Sequence, residues 1–181
     1  MKKAKKITRK KINFELITDQ KSEPYQVLAA VRREFHAELH KGRIALAWRK
    51  GFKPDRDGHL VLGKCVKAPD LQKELVDWDF VILLNKEVWM DQEWPIEKKR
   101  ALLDHELCHA ARVEDEFGAQ KEDEKGRLVW RVRKHDIEEF QDVVKRHGCY
   151  KRDLENFAAA LLKSKQTHIL FLDDKKAGAA S

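Results

Sequence analysis

Residues 105–109 read His-Glu-Leu-Cys-His, inside a segment from Pro95 to about residue 112 whose apolar residues recur at helical spacing. The two histidines are four positions apart along this helix, which places both imidazoles on one face, about one turn apart. Two ring nitrogens in this arrangement can hold one zinc ion. In this pattern the carboxylate of Glu106 takes a proton from the metal-bound water. Chance would produce the five-residue pattern in roughly 3% of chains with this composition.

A zinc site of this kind needs a third protein ligand and leaves its fourth position to water. The segment HDIEEF, residues 135–140, begins 26 residues after His109. His135 is the preferred third ligand, since it is expected at the start of the next helix, from which its side chain can reach the first one. Glu138 and Glu139 stay open as alternative ligands, or as side chains that orient a ligand through a hydrogen bond.

Two further residues are candidates for stabilising the oxyanion of a tetrahedral intermediate. They are His147, expected on the same helix as His135, and Tyr150. Cys108 occupies a variable position of the motif and is expected to serve in packing. The remaining histidines show no partner pattern and are expected to be ordinary surface or packed residues: His36, His40, His59 and His168.

The rest of the chain alternates helical and extended patterns. Helices are predicted from residue 22, with Pro24 in the first turn, and near 71–75, 95–112, 137–148 and 154–162. Strands are predicted at 44–48, half-buried, at 59–66, returning after the turn at 54–58, and at 80–84, covered on both faces. Residues 114–126 are predicted to form a polar loop or hairpin tip leading into a short strand at 128–132.

Composition and charge limit the function classes. The net charge of +7 favours acidic partners, and seven Lys or Arg residues within residues 1–11 form either a solvated tail or an arm that contacts DNA or RNA. The three cysteines do not resemble a secreted disulfide framework. No apolar run of membrane-spanning length and no signal-peptide pattern occurs, so a soluble protein without membrane contact, in the cytoplasm of a bacterial host cell, is expected.

Five segments resemble the putative phage metallopeptidases, small zincin-like proteins of phages and prophage regions. They are GFKPDRDGHLVLGKC (51–65), DFVILLN (79–85), LLDHELCHA (102–110), KHDIEEF (134–140) and RHGCYKRDL (146–154). The resemblance covers roughly residues 25–163. A wider similarity is to SprT-like proteases, which act on proteins attached to DNA and have a third histidine in the pattern H-x-x-E-[FW]. His135 and Glu139-Phe140 are similar to that pattern with one residue inserted, and the zinc ribbon of some SprT-like proteins is missing.

Residues and resemblance together predict an α+β fold: a zincin-like metallopeptidase domain over 22–165, with a small twisted sheet, an N-terminal helix, the active helix and two C-terminal helices. Residues 1–21 are predicted to be a basic, disordered tail, and residues 166–181 a C-terminal tail. The expected activity is hydrolysis of peptide bonds in a protein or peptide substrate. Zn²⁺ would be held by His105, His109 and His135, with Glu106 as general base. The strand at 80–84 is expected to form the upper rim of the cleft, where a substrate pairs with a sheet edge.

Two other functions stay open. One is a nucleic-acid-binding phage accessory protein with a mainly structural zinc site, in which a protein ligand would fill the fourth zinc position. The other is a metal-dependent amidase for small molecules, which would need a closed pocket. No oligomeric state is predicted.

Overall fold

The structure is a computed structural model and describes residues 13–51 and 54–164. These residues divide into two compact units, one ending at Lys134 and the other beginning at His135. The basic segment 1–11, predicted to contact nucleic acid, and the whole of the predicted C-terminal tail, 166–181, lie outside the described residues. No helix in the described ranges is long and apolar enough to cross a membrane.

The first unit is mixed α+β, which confirms the predicted fold class at that level. Its strands are β1 (Phe14–Leu16), β2 (Ile44–Arg49), β3 (Gly63–Lys67), β4 (Phe80–Asn85), β5 (Ala110–Arg112) and β6 (Trp130–Val132). Its helices are α1 (Glu23–Phe35), α2 (Asp70–Leu75), α3 (Lys86–Trp89) and α4 (Ile96–His109), with a 3₁₀ turn at Ala37–Leu39. Prolines begin the two long helices: Pro24 lies in the first turn of α1, and Pro95 precedes α4.

The main sheet has four strands in the order β1-β2-β4-β3. The central strands β2 and β4 are parallel, and the edge strands β1 and β3 are antiparallel to their neighbours. Four consecutive residues of β2, at 45–48, are buried, so the predicted half-buried strand is wrong. The cause is the interior position of β2, where both faces are covered. β1 lies within the segment predicted to be a tail, since three residues are too few for alternation to reveal a strand.

The strand predicted at 59–66 departs from its expected place in the sheet. Strand β3 begins at Gly63 and pairs with β4, because β4 lies between it and β2. β4 is therefore hydrogen-bonded on both sides, and the prediction that its edge receives a substrate is wrong. Among the described residues, β3 is the strand at this edge of the sheet.

One face of β4 forms the centre of the core. Phe80, Ile82 and Leu84 alternate along the strand and are fully buried. Leu103 and Leu107 of α4 are equally buried in the same cluster, and each such side chain contributes about 1.5–3 kcal/mol through the hydrophobic effect. Helix α1 packs along α4. The apolar side of α4 is thereby fixed in the core.

Helix α4 ends at His109, three residues earlier than predicted. The next three residues form β5 and pair with β6 in a two-stranded sheet. Alanine favours helix, so strand pairing has overridden local propensity here. The hairpin between these strands, with positive φ at Gly118 and Gly126, confirms the predicted polar loop.

The second unit contains α5 (Gln141–His147) and α6 (Arg152–Lys163). Two C-terminal helices were predicted, but α5 begins at 141 rather than near 137. Phe140 is extended and caps the helix, and the carboxylate of Glu139 accepts a hydrogen bond from the Phe140 N–H at 2.9 Å. His135 consequently precedes α5 by six residues and does not share a helix with His147, which corrects both predictions.

Candidate active site

The last two turns of α4 carry His105 and His109 on one face. Their ring centroids are 5.0 Å apart with planes at 85°, and a ring nitrogen of each lies within 4.8 Å of the other. His105 is exposed and His109 is half-buried. Because Leu103 and Leu107 anchor the opposite side of the helix, the two imidazoles stay at the surface of the unit.

The ring of His109 is oriented by the main chain of Arg133. Nδ1 lies 2.7 Å from the Arg133 carbonyl oxygen, and a carbonyl can only accept, so Nδ1 carries the proton. The lone pair of this imidazole is then on Nε2. Metal-binding histidines use one ring nitrogen as ligand and donate the other to a carbonyl or carboxylate, and Nδ1 of His109 makes the second of these two contacts.

Glu106 differs from the two histidines in being buried, with 3% of its surface exposed. Burial raises the pKa of its carboxyl, and an interaction with the Cys65 main-chain N–H and the charge of His109 act in the opposite direction. Its Oε2 is buried without a hydrogen-bond partner in the described part of the chain. Such an atom normally has a partner, so Oε2 marks a place for a water or ion.

Strand β3 passes directly over Glu106, a contact that the sequence analysis missed. A Cβ at Gly63 would lie 2.6 Å from Glu106 Oε1, so only glycine fits without a shift. The sequence contained a signal for this contact, because Gly63 is an isolated glycine within a predicted strand, and such a glycine indicates close approach of another group. Two residues on, burial and the charge of Glu106 raise the pKa of the Cys65 thiol to about 12.

The predicted third ligand and its alternatives all lie in the second unit. His135 and Glu138 are exposed in the irregular segment before α5. Glu139 is occupied within that unit: its carboxylate is 2.7 Å from Lys151 Nζ and accepts a hydrogen bond from the Tyr150 hydroxyl. Lys151 and then Tyr150 lower the pKa of Glu139 to about 2.

The two predicted oxyanion stabilisers have different surroundings. His147 is exposed at the last position of α5. Tyr150 donates its hydroxyl to Glu139, and that hydrogen bond raises the pKa of Tyr150. A hydroxyl held by a carboxylate in this way must break the bond before it can donate to a substrate.

Comparison with known protein families assigns the chain. The profile of the family described as "Putative phage metallopeptidase" matches residues 18–162. The chain belongs to this family. Membership in this metallopeptidase family indicates a hydrolase that uses a metal ion and acts on proteins or peptides. No curated protein and no solved structure gives a significant match.

The residues present in this family member fit a metal ion. Three observations from the first unit agree: paired imidazoles at helical spacing, a carbonyl that fixes the tautomer of His109, and an orphaned buried carboxylate oxygen on Glu106. One other expectation changes: Cys108 is exposed, so its predicted packing role is wrong. His36 is buried, as one of the two expectations for it had it, and it contacts Asp104.

Proposed function

We propose that this chain is a zinc-dependent metallopeptidase, encoded by a phage or prophage, that hydrolyses peptide bonds with Glu106 as general base. The observation that carries the proposal is the buried carboxylate of Glu106, whose Oε2 has no partner in the described residues, on the helical turn between His105 and His109. Leaving a buried carboxylate oxygen unpaired costs stability, which favours a function for it.

The ligand set of this proposal is His105, His109 and His135. A bound zinc ion would polarise the substrate carbonyl and lower the pKa of a water molecule. The Arg133 carbonyl holds His109 with Nε2 as its ligand atom. Glu139 is the weaker alternative for the third position, because Lys151 and Tyr150 already engage its carboxylate. Glu138 is exposed and remains an alternative.

Glu106 takes the proton from the attacking water and returns it to the leaving amine. A raised pKa suits both steps, since a base with a pKa closer to neutrality also serves as an acid. The carboxylate is positioned by β3, through the Cys65 main-chain N–H and the bare Cα of Gly63. This contact limits the movement of the side chain.

The edge of β3 favours an extended peptide as substrate. Main-chain hydrogen bonds join Leu62 O and Ala68 N to the neighbouring strand, so by alternation the main-chain groups of the residues between them at 63, 65 and 67 point away from β4. The Cys65 N–H is engaged by Glu106, which leaves Gly63 and Lys67 to pair with a peptide at this edge. A peptide that added a strand there would lie beside Glu106 and would be recognised mainly through its backbone.

The test is Glu106→Gln, measured by zinc content and by cleavage of a fluorescein-labelled denatured protein. Zinc should be retained, while hydrolysis should fall by about 10²–10⁴-fold because the amide cannot accept the proton. Glu97→Gln, the same change at an exposed position of α4, is the matched control and should keep full activity.

Two results would contradict the proposal. Loss of zinc together with activity in Glu106→Gln would make Glu106 a ligand rather than a base. A zinc-loaded wild-type protein that cleaves no denatured protein would refute the peptidase function itself.

A further inference from the structure

A second group of potential ligands lies beside the first, on residues that the proposed function does not use. Asp104 and Cys108 each precede a histidine of the motif by one residue, so they share a face of α4 rotated by about 100° from that of the histidines. One ligand atom of each lies within 4.8 Å of the other and of a ring nitrogen of His36. The group therefore combines nitrogen, oxygen and sulfur donors, all of which zinc accepts.

His36 is the buried member, with 6% of its surface exposed. It caps the C-terminal end of α1, and its Nε2 is 2.7 Å from Asp104 Oδ1. Its other ring nitrogen, Nδ1, is 3.4 Å from Glu38 Oε1. An imidazole with one nitrogen at a ligand cluster and the other near a carboxylate has the surroundings of a zinc-binding histidine.

A cavity of about 620 Å³ gives access to this group from solvent. His36, Glu38 and Cys108 line it, together with Arg112 and Arg131. A metal ion can therefore approach His36 and Cys108 through this cavity. The Asp104 carboxylate does not line the cavity, but it is 41% exposed and lies 2.7 Å from His36 Nε2. A water molecule can complete the coordination from the open side.

We propose that His36, Asp104 and Cys108 form a second zinc-binding site. The metal would take Nε2, a carboxylate oxygen and the sulfur, with water as fourth ligand. Tetrahedral bonds of about 2.0–2.3 Å place ligand atoms about 3.3–3.7 Å apart. The His36–Asp104 contact would open by about 0.6 Å. The sulfur of Cys108 lies within 4.8 Å of both ligand atoms and would move inward by at most about 1.3 Å.

A simple hydrogen bond between α1 and α4 is the competing explanation. It accounts for the 2.7 Å contact between His36 and Asp104, but it does not require a sulfur atom within 4.8 Å of both ligand atoms. The two explanations differ in metal stoichiometry and in sulfur ligation, which are both measurable.

The test titrates Co²⁺ into the full-length, metal-free protein. A thiolate bound to cobalt gives a charge-transfer absorption in the near ultraviolet, which the proposed site at His105 and His109 lacks because it has no sulfur donor. The wild type should bind about two cobalt ions, one at each site, and show this absorption. Cys108→Ser should lose the absorption and one equivalent of cobalt.

The other cysteines supply the controls. Cys149→Ser, at an exposed position of the second unit, should keep the absorption and both equivalents. Cys65 is buried with its thiol pKa near 12 and is a poor ligand. His109→Ala should lose one equivalent but keep the absorption, so failure of this proposal and failure of the proposed peptidase site are distinguishable.

The variants also cover the case in which His36 is needed for folding. Cys108→Ser changes one atom at an exposed position, so it should fold, as circular dichroism would show. Asp104→Asn should lower the affinity for the second cobalt ion by more than about 10- to 100-fold, which is the cost of losing a side chain that only hydrogen-bonds to a ligand. One equivalent of cobalt without charge-transfer absorption in the wild type, or absorption that persists in Cys108→Ser, would overturn the proposal.

Discussion

Replacing Gly63 with alanine adds one methyl group where β3 passes closest to Glu106. The new Cβ would lie 2.6 Å from Oε1 and 3.0 Å from both Cδ and Cγ of the glutamate. The oxygen contact is about 0.8 Å shorter than the 3.4 Å at which ordinary contact begins, so the carboxylate must move. Gly63 does not have a positive φ, and alanine therefore fits the backbone of β3 without strain.

The displacement sets the expected loss of activity. A shift of about 1 Å in a catalytic group costs about 10²-fold in rate, so kcat for Gly63→Ala should fall by about that factor. Zinc content should stay unchanged, since the three atoms nearest the new methyl group all belong to Glu106. Gly42→Ala is the matched control, because its Cβ would meet the Leu39 carbonyl at 3.2 Å and would not meet Glu106. It should retain kcat.

Stability measurements on the metal-free protein test the same contact independently. Overpacking costs about 1–3 kcal/mol. Glu106→Ala removes the three atoms nearest to the new methyl group, so in that background Gly63→Ala should be neutral or stabilise β3 by up to about 1 kcal/mol. A double-mutant cycle by urea unfolding should therefore give a coupling of about 1–4 kcal/mol between the two substitutions.

Two results would refute this reasoning. Additive free energies of unfolding would mean that the two side chains do not touch. A normal kcat in Gly63→Ala, with coupling present, would mean that the position of Glu106 does not limit the reaction.

Three further predictions concern the ligands, the proton and the tail. His135→Ala should weaken zinc binding far more than Glu138→Ala or Glu139→Ala, measured by competition with a chelator, and normal binding by His135→Ala would exclude it as the third ligand. Burial raises the pKa of Glu106, so the metal-free protein should lose stability as the pH rises above 4.5, the ordinary pKa of a glutamate. Urea titrations at several pH values should show that Glu106→Gln removes this loss. Parallel pH profiles for the wild type and the variant would contradict the assignment of the loss to Glu106. Deleting residues 1–11 should lower the slope of log affinity for DNA against log salt by about four without changing zinc content, whereas equal affinities at about 50 mM salt would exclude nucleic-acid contact by the tail.

Features set by local pattern were predictable from the sequence. Pro95 and the apolar spacing of Leu103 and Leu107 predicted α4, and the same spacing put His105 and His109 on one face. These features depend on residues within one or two turns of each other, so a single chain segment contains the information.

Features set by distant partners were not predictable. Strand β3 pairs with β4 because β4 lies between it and β2. The pattern of residues within β3 does not indicate which strand is its neighbour. The burial of His36 depends on Asp104, 68 residues away. The local sequence around a histidine at the end of a helix does not show whether its side chain is exposed or hydrogen-bonded to a residue of another helix.

Helix α4 was predicted to end three residues too late, and its true end orients His109, a candidate ligand. Because the chain leaves the helix at His109 and pairs as β5 with β6, Arg133 makes two hydrogen bonds with His109. Its N–H donates to the His109 carbonyl at 2.8 Å, and its carbonyl accepts from His109 Nδ1 at 2.7 Å. If α4 continued for three more residues, β5 could not pair with β6 and these two hydrogen bonds would be lost. The imidazole of His109 would then be free to rotate. Strand pairing thus overrides the helical preference of the alanines at the position where a histidine must present Nε2.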